Sequence, residues 1–163
     1  MNNNVKIQWL ADRQHYINDL ALIHFEGISR HWVSDASPEK SRQSLIKHAT
    51  HQMPFTLVAE IHGKAIGMAS LRENDGLSTE QTPWLGSLAV DPTYQGQGIG
   101  EQLIEAIKKE AQKLNYNELY LLAFDPTIPS WYSKLGWEKI GMDKLFDHPV
   151  TVMKIHLSDH VRT

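Results

Sequence analysis

The run Gln95-Gly96-Gln97-Gly98-Ile99-Gly100 is the stretch best suited to chemistry, because its glycines leave backbone N–H groups bare. Before it, Trp84 to Val90 is apolar and stops at the turn pair Asp91-Pro92, as a buried strand does. After it, Ile99, Leu103, Ile104, Ile107, Ala111 and Leu114 recur at helical spacing, with Glu101, Glu105, Lys108, Lys109 and Lys113 opposite them. A helix begins with unpaired N–H donors and the positive end of its dipole, so the run reads as an anion cradle. Two common phosphate loops do not fit. A P-loop needs Lys and then Ser or Thr after its last glycine, but Glu101-Gln102 follow Gly100. A dinucleotide fingerprint spaces its last glycines three apart, whereas Gly98 and Gly100 are two apart, and the Asp91 to Gln95 connection is too long for that turn.

The elements that must position this cradle alternate along the chain. Val5, Ile7 and Trp9 alternate with polar residues as a half-buried strand. Asp12 is expected to cap a helix with Ile17, Leu20, Ala21, Ile23, His24 and Ile28 on its apolar face. A second helix starts at Ser37 as N-cap with Pro38 at its first position, and Leu45, Ile46 and Ala49 inward. Strands Phe55 to Ile61 and Lys64 to Arg72 form a hairpin about His62-Gly63, and Asn74-Asp75-Gly76 opens a loop to Thr82. After the cradle helix come a strand from Glu118 to Phe124, a short helix near Ile128 to Leu135, and strands Trp137 to Met142 and Val150 to Leu157. No repeat or linker divides the chain, so a single domain over 1–163 is expected.

Gln95-x-x-Gly98-x-Gly100 resembles the Arg/Gln-x-x-Gly-x-Gly/Ala signature of the GCN5-related N-acetyltransferases, and Trp131-Tyr132-Ser133-Lys134-Leu135-Gly136-Trp137 resembles that family's aromatic-Tyr-x-x-Leu-Gly-aromatic block. Both motifs fall in family order, firmly over about Phe55 to Leu157. The resemblance implies an α/β acyl-CoA N-acyltransferase fold, its central mixed sheet splayed between the fourth and fifth strands and flanked by helices. It implies acetyl transfer from acetyl-coenzyme A to a primary amine of a small molecule or peptide, by direct attack in a ternary complex. It places the oxyanion donor at the Leu88 N–H, the pantetheine arm along Leu88, Ala89 and Val90, and the pyrophosphate on Gln95, Gly96, Gln97, Gly98, Ile99, Gly100 and Glu101. Asp125 stands where many relatives have asparagine, and Ser130 and Lys134 point toward cofactor oxygens and the distal phosphate. Tyr132 falls at the family's leaving-group tyrosine, and a phenol with pKa near about 10 is matched to a thiolate. The plainer reading makes Tyr132 a core aromatic.

The general base is a gap. Some relatives carry a glutamate four residues before the oxyanion donor, and Trp84 holds that position here. Asp75, Glu80, His148 and Glu26 are alternatives, or the amine arrives deprotonated and needs no base. The acceptor is expected between the first two helices and the loops near Asn74–Thr82 and Asp147–Val150, with Trp32, Asp75, Glu80, Trp84 and His148 at its mouth. Trp32 and Trp84 read equally well as core. An acyl-coenzyme A sensor without catalysis is the alternative function, and a nicotinamide-binding dehydrogenase domain is a distant third.

Composition bounds the rest. The chain has 163 residues, 41% hydrophobic and 21% charged, which suits a soluble globular domain. It has no cysteine, so thiol catalysis and Cys-based zinc sites are excluded, and a cytoplasmic home is expected. Met1-Asn2-Asn3-Asn4 lacks the regions of a signal peptide, and no apolar run approaches a membrane span. A net charge of −3 with scattered bases gives no nucleic-acid or membrane partner. The pairs His24/His31 and His48/His51 lack a placed carboxylate, so no metal is expected. A monomer or homodimer is expected.

Overall fold

The computed structural model describes residues 4–157, and the Met1-Asn2-Asn3 run read above for a leader lies outside them. The chain enters on β1 (Lys6–Trp9), takes two short turns at Leu10–Asp12 and Gln14–Tyr16, and starts α1 (Ile17–His24). Asp12 does not cap that helix as expected. Its carboxylate bonds His51 Nε2 instead, and the backbone of Gln14 to Tyr16 forms the lead-in. A wide turn at Phe25–Ser29 joins α1 to α2 (Arg30–Trp32). The single helix read from the sequence is therefore widened over Phe25–Ser29, a stretch that includes Gly27, whose backbone freedom makes it a poor helix former. α3 (Pro38–Lys47) begins as expected, with Ser37 Oγ accepting from Lys40 N at 3.1 Å and Pro38 in the first turn.

The hairpin β2 (Phe55–Ile61) and β3 (Lys64–Arg72) follows, then β4 (Trp84–Val90), α4 (Ile99–Lys113), β5 (Glu118–Ala123), α5 (Pro129–Lys134), β6 (Glu138–Leu145) and β7 (His148–His156). β6 and β7 run further than the sequence suggests. β6 is the sheet edge and exposes residues on both faces, so Asp143 and Lys144 extend it without the apolar alternation that marks a strand.

The seven strands form one sheet in the order β1-β2-β3-β4-β5-β7-β6, antiparallel except for β4 and β5. Alternation in β2 sends Phe55, Leu57, Ala59 and Ile61 to the face covered by α4, and Val58 to the face covered by α1 and α3. On the first face, Ile99, Leu103, Ile104, Ile107 and Ala111 of α4 are fully buried, as their spacing requires. On the second, Leu10, Tyr16, Leu20 and Leu45 close over Val58, Met68 and Ala89. A third cluster of Leu77, Trp84, Tyr120, Val150 and Val152 seals the far end of the β4–β5 junction.

Parallel strands β4 and β5 pair at only one register position, Trp84 with Tyr120. Beyond it they diverge, and the resulting V is the mouth of a cavity of about 1070 Å³.

Candidate active site

The cavity has two chemically different ends that meet on β4. One end is the cradle. Gly96 and Gly98 adopt φ of +79° and +80°, a left-handed backbone that glycine takes without penalty, and a Cβ at either would meet nothing within 4 Å. Gly98 is the N-cap of α4 and supplies no side chain to it, so the helix start has no side-chain cap among the described residues. Gln95 Nε2 donates to Val90 O at 3.0 Å and folds the loop back onto the strand end. Gly100 faces Trp131, whose ring would lie 3.5 Å from a Cβ there.

The middle of the cavity is built by an irregularity. Register pairs Met68 with Ala89 and Ser70 with Gly86, so Ser87 and Leu88 together oppose Ala69. This extra residue, with φ of +52° at Ser87, re-aims the backbone at Leu88, which lines the cavity. Tyr132 of α5 faces the same space. It is buried between the edges of Trp131 and Trp137, with ring centroids at 4.9 and 5.8 Å, and its hydroxyl has no hydrogen-bond partner among the described residues. Burial pushes its phenol above the ordinary value of 10, so it is protonated throughout the neutral range.

The other end holds charge. Arg72 Nη1 donates to Asp75 Oδ1 at 2.5 Å, and Nη2 donates to Ser87 Oγ at 2.6 Å. The guanidinium lies directly over Gly86: a Cβ there would stand 2.7 Å from Nη1 and 3.0 Å from Asp75 Oδ1. Burial raises the Asp75 pKa while Arg72 opposes the rise. His24 and His48 come in from α1 and the end of α3, and His24 Nδ1 lies 2.7 Å from Ser41 Oγ. Burial, then the nearby Arg72 charge, pushes both imidazoles down to about 4, so both are neutral at pH 7.

Aromatic rings form the outer wall of this end. Trp32 stacks on Phe124 at 5.3 Å and 11°, Phe124 stacks more loosely on Phe146 at 6.3 Å, and His148 meets Trp32 edge-on at 5.2 Å. Trp32 and Phe146 also line a smaller adjoining cavity of about 340 Å³ that includes His148.

The expected site residues divide accordingly. Leu88, Ala89, Val90, Gln95, Gly96, Gly98, Ile99, Gly100, Glu101, Asp125, Tyr132, Trp32 and Asp75 all line the main cavity, and His148 lines its neighbour. Trp84 is a correction: it is fully buried in the third core cluster, with its indole N–H bonded to Gln81 O at 2.7 Å. Glu80 is exposed in the loop and lines neither cavity. Gln97, Ser130 and Lys134 also stand outside both, with Ser130 Oγ turned back to Thr127 O. Asp125 lines the cavity, but Oδ1 is engaged by Thr127 N and Oγ1, which form its own turn. Arg72, Ser87, Gly86, His24 and His48 were not anticipated as site residues, and Trp131 was read only as the first aromatic of its motif. The one local signal was the Arg72-x-x-Asp75 spacing.

This fold and cavity define an acyltransferase-type α/β domain. The chain belongs to the acetyltransferase (GNAT) family, whose sequence profile matches residues 15–137. It is 28% identical over 96 residues to an amino-acid acetyltransferase of Azotobacter vinelandii, covering 53% of this chain and 22% of that protein. It is 32% identical over 88 residues to the chloroplastic GCN5-related N-acetyltransferase 2 of Arabidopsis thaliana, covering 53% and 32%. The chain thus matches a third or less of these curated relatives' length. A solved aminoglycoside 6′-N-acetyltransferase complexed with coenzyme A shares the fold, with a TM-score of 0.72 at 15% identity over 94% of this chain and 97% of that one. Among the described residues no helix is long and apolar enough to cross a membrane.

Proposed function

We propose that the chain transfers an acetyl group from acetyl-coenzyme A to a primary amine of a small molecule or peptide, by direct attack while both substrates share the cavity. The observation that carries this reading is the single cavity itself. It has bare helix-start donors at one end, an ionic acceptor wall at the other, and Leu88 and Tyr132 between them.

The residues present fit coenzyme A. The open space over Gly96 and Gly98 admits a pyrophosphate to the first-turn N–H groups of α4, and the diverging strand edge at Leu88 to Val90 suits an extended amide chain. When bound, acetyl-coenzyme A supplies an activated acyl carbon and a thiolate leaving group. The Leu88 N–H stabilises negative charge on the acyl oxygen, a contribution of roughly 3 kcal/mol in a dry site. Tyr132 is protonated and donates to the departing sulfur. Asp75, a carboxylate whose pKa is raised by burial, receives the proton released by the amine. Holding both substrates in one cleft supplies much of the remaining rate.

Calorimetry with coenzyme A, followed by thiol release with an amine panel, tests the reading. Binding together with amine-dependent thiol release is expected. No binding at millimolar concentration overturns it, and binding without turnover on any amine leaves an acyl-coenzyme A sensor.

A further inference from the structure

Arg72 is an unusual residue to find facing a site that is to hold a cationic amine. Its guanidinium has five N–H donors, and among the described residues only one goes to Asp75 and one to Ser87. Asp75 in turn uses Oδ1 for Arg72, and Oδ2 has no partner among the described residues. Both side chains line the cavity and both are largely buried, with 21% and 13% of their side-chain surface exposed. The ion pair is thus locally neutral and has unspent hydrogen-bonding capacity of both signs. The histidines beside it, His24 and His48, add no charge.

We infer that the acceptor is a free α-amino acid with an aromatic or large apolar side chain, its carboxylate held by Arg72 and its amino group by Asp75. The inference rests on the acetyl-transfer reading above and names its substrate class. A simple amine or a polycation would satisfy Asp75 and leave its own charge facing Arg72. A zwitterion satisfies both partners at once, and the planar fork of arginine matches a carboxylate in a way that a lysine would not. Arg72 is bonded to Ser87, the residue before Leu88, so the ion pair adjoins the backbone that the proposed reaction uses as oxyanion donor.

The side-chain preference follows from the neighbouring wall. The loop after Asp75 packs on the β6–β7 hairpin, where Leu145 would touch a Cβ at Gly76 at 3.2 Å. Next along that hairpin, Phe146 is 55% exposed and adopts φ of +52°, a conformation that bulky residues rarely hold. It presents its ring to the cavity in line with Phe124 and Trp32. An exposed aromatic surface next to a zwitterion-matching ion pair is complementary to one ligand with both features.

The test compares L-phenylalanine with phenethylamine, phenylalanine amide, L-glutamate and spermidine, by thiol release with the native enzyme and Arg72→Gln. L-Phenylalanine is expected to exceed phenethylamine and the amide in kcat/KM by at least roughly tenfold, because a buried donor set left unpaired discriminates strongly. Arg72→Gln should collapse that ratio toward one. Arg72→Lys should restore only part of it, and unchanged coenzyme A affinity verifies folding of each variant. Equal or better turnover of phenethylamine or spermidine overturns the inference while leaving acetyl transfer intact. So does a native ratio that Arg72→Gln preserves, or a preference for glutamate. Absence of coenzyme A binding by the native protein removes both.

Discussion

Arg72 donates to Ser87 Oγ at 2.6 Å, and this bond ties the charged wall of the cavity to the bulged backbone immediately before Leu88. In the proposed reading, whatever moves the guanidinium therefore disturbs both the amine and the acyl positions. The strand accommodates the arrangement only because residue 86 is glycine: a methyl group there would overlap Arg72 Nη1 at 2.7 Å.

Gly86→Ala should therefore damage the acceptor end and spare the cradle. The expected outcome is a rise of roughly tenfold or more in acceptor KM with coenzyme A affinity within about twofold of native, since a misplacement of about 1 Å is costly at a reacting centre. Steady-state kinetics beside calorimetry separates the two. A variant that loses coenzyme A affinity instead would place Gly86 in the cofactor end.

Gly98→Val should do the reverse. The residue caps α4 at φ of +80°, where a β-branched side chain is strained by about 1–2 kcal/mol, and its methyl groups would enter the open space of the cradle. Coenzyme A affinity should fall by roughly tenfold or more, with a modest loss of thermal stability. Native affinity in a folded Gly98→Val protein would remove the anion-binding role of the loop.

Acid should destabilise the acceptor wall before it titrates ordinary carboxylates. His24 is pushed from 6.5 to about 4 by burial, and His48 moves the same way. The unfolded chain takes up protons below pH 6.5 while the folded chain resists until about 4. Stability present above 6.5 is therefore lost as pH falls through this window. For His24 the fall corresponds to roughly 3 kcal/mol. Urea midpoints at pH 7 and pH 4.5 measure it. His24→Gln keeps a partner for Ser41 Oγ and should flatten the dependence; an unchanged slope in that variant would contradict the assignment.

The cradle and the element order were legible because their signals are local. Glycine positions, a turn pair and a helical apolar stripe fall within one stretch from Trp84 to Leu114, and the fold obeys them. The acceptor end was not, because it is assembled from distant segments. Arg72 ends β3, Asp75 belongs to a loop, Ser87 sits in a bulge, and His24 and His48 arrive from two helices. Register shifts leave no mark in sequence, so the contact between Arg72 and Ser87 had no precursor to read. Trp84, which read equally as pocket or core, takes the core because its indole N–H finds a carbonyl three residues back, which lets a large polar-tipped ring be buried. Phe124, Trp32 and His148 do meet, as the expected clustering of helix end and hairpin suggested for two of them.

Tyr132→Phe tests catalysis in this cavity most directly. The ring keeps its packing between Trp131 and Trp137, and only the hydroxyl of a buried residue that lines the cavity is lost. Amine-dependent thiol release should fall by roughly 10²-fold, with coenzyme A affinity nearly unchanged. Because burial holds the phenol above its ordinary value, the native enzyme should show no loss of turnover from this group until the pH exceeds 10. A Tyr132→Phe protein with native turnover across that range would contradict the account, leaving Tyr132 as a packing residue.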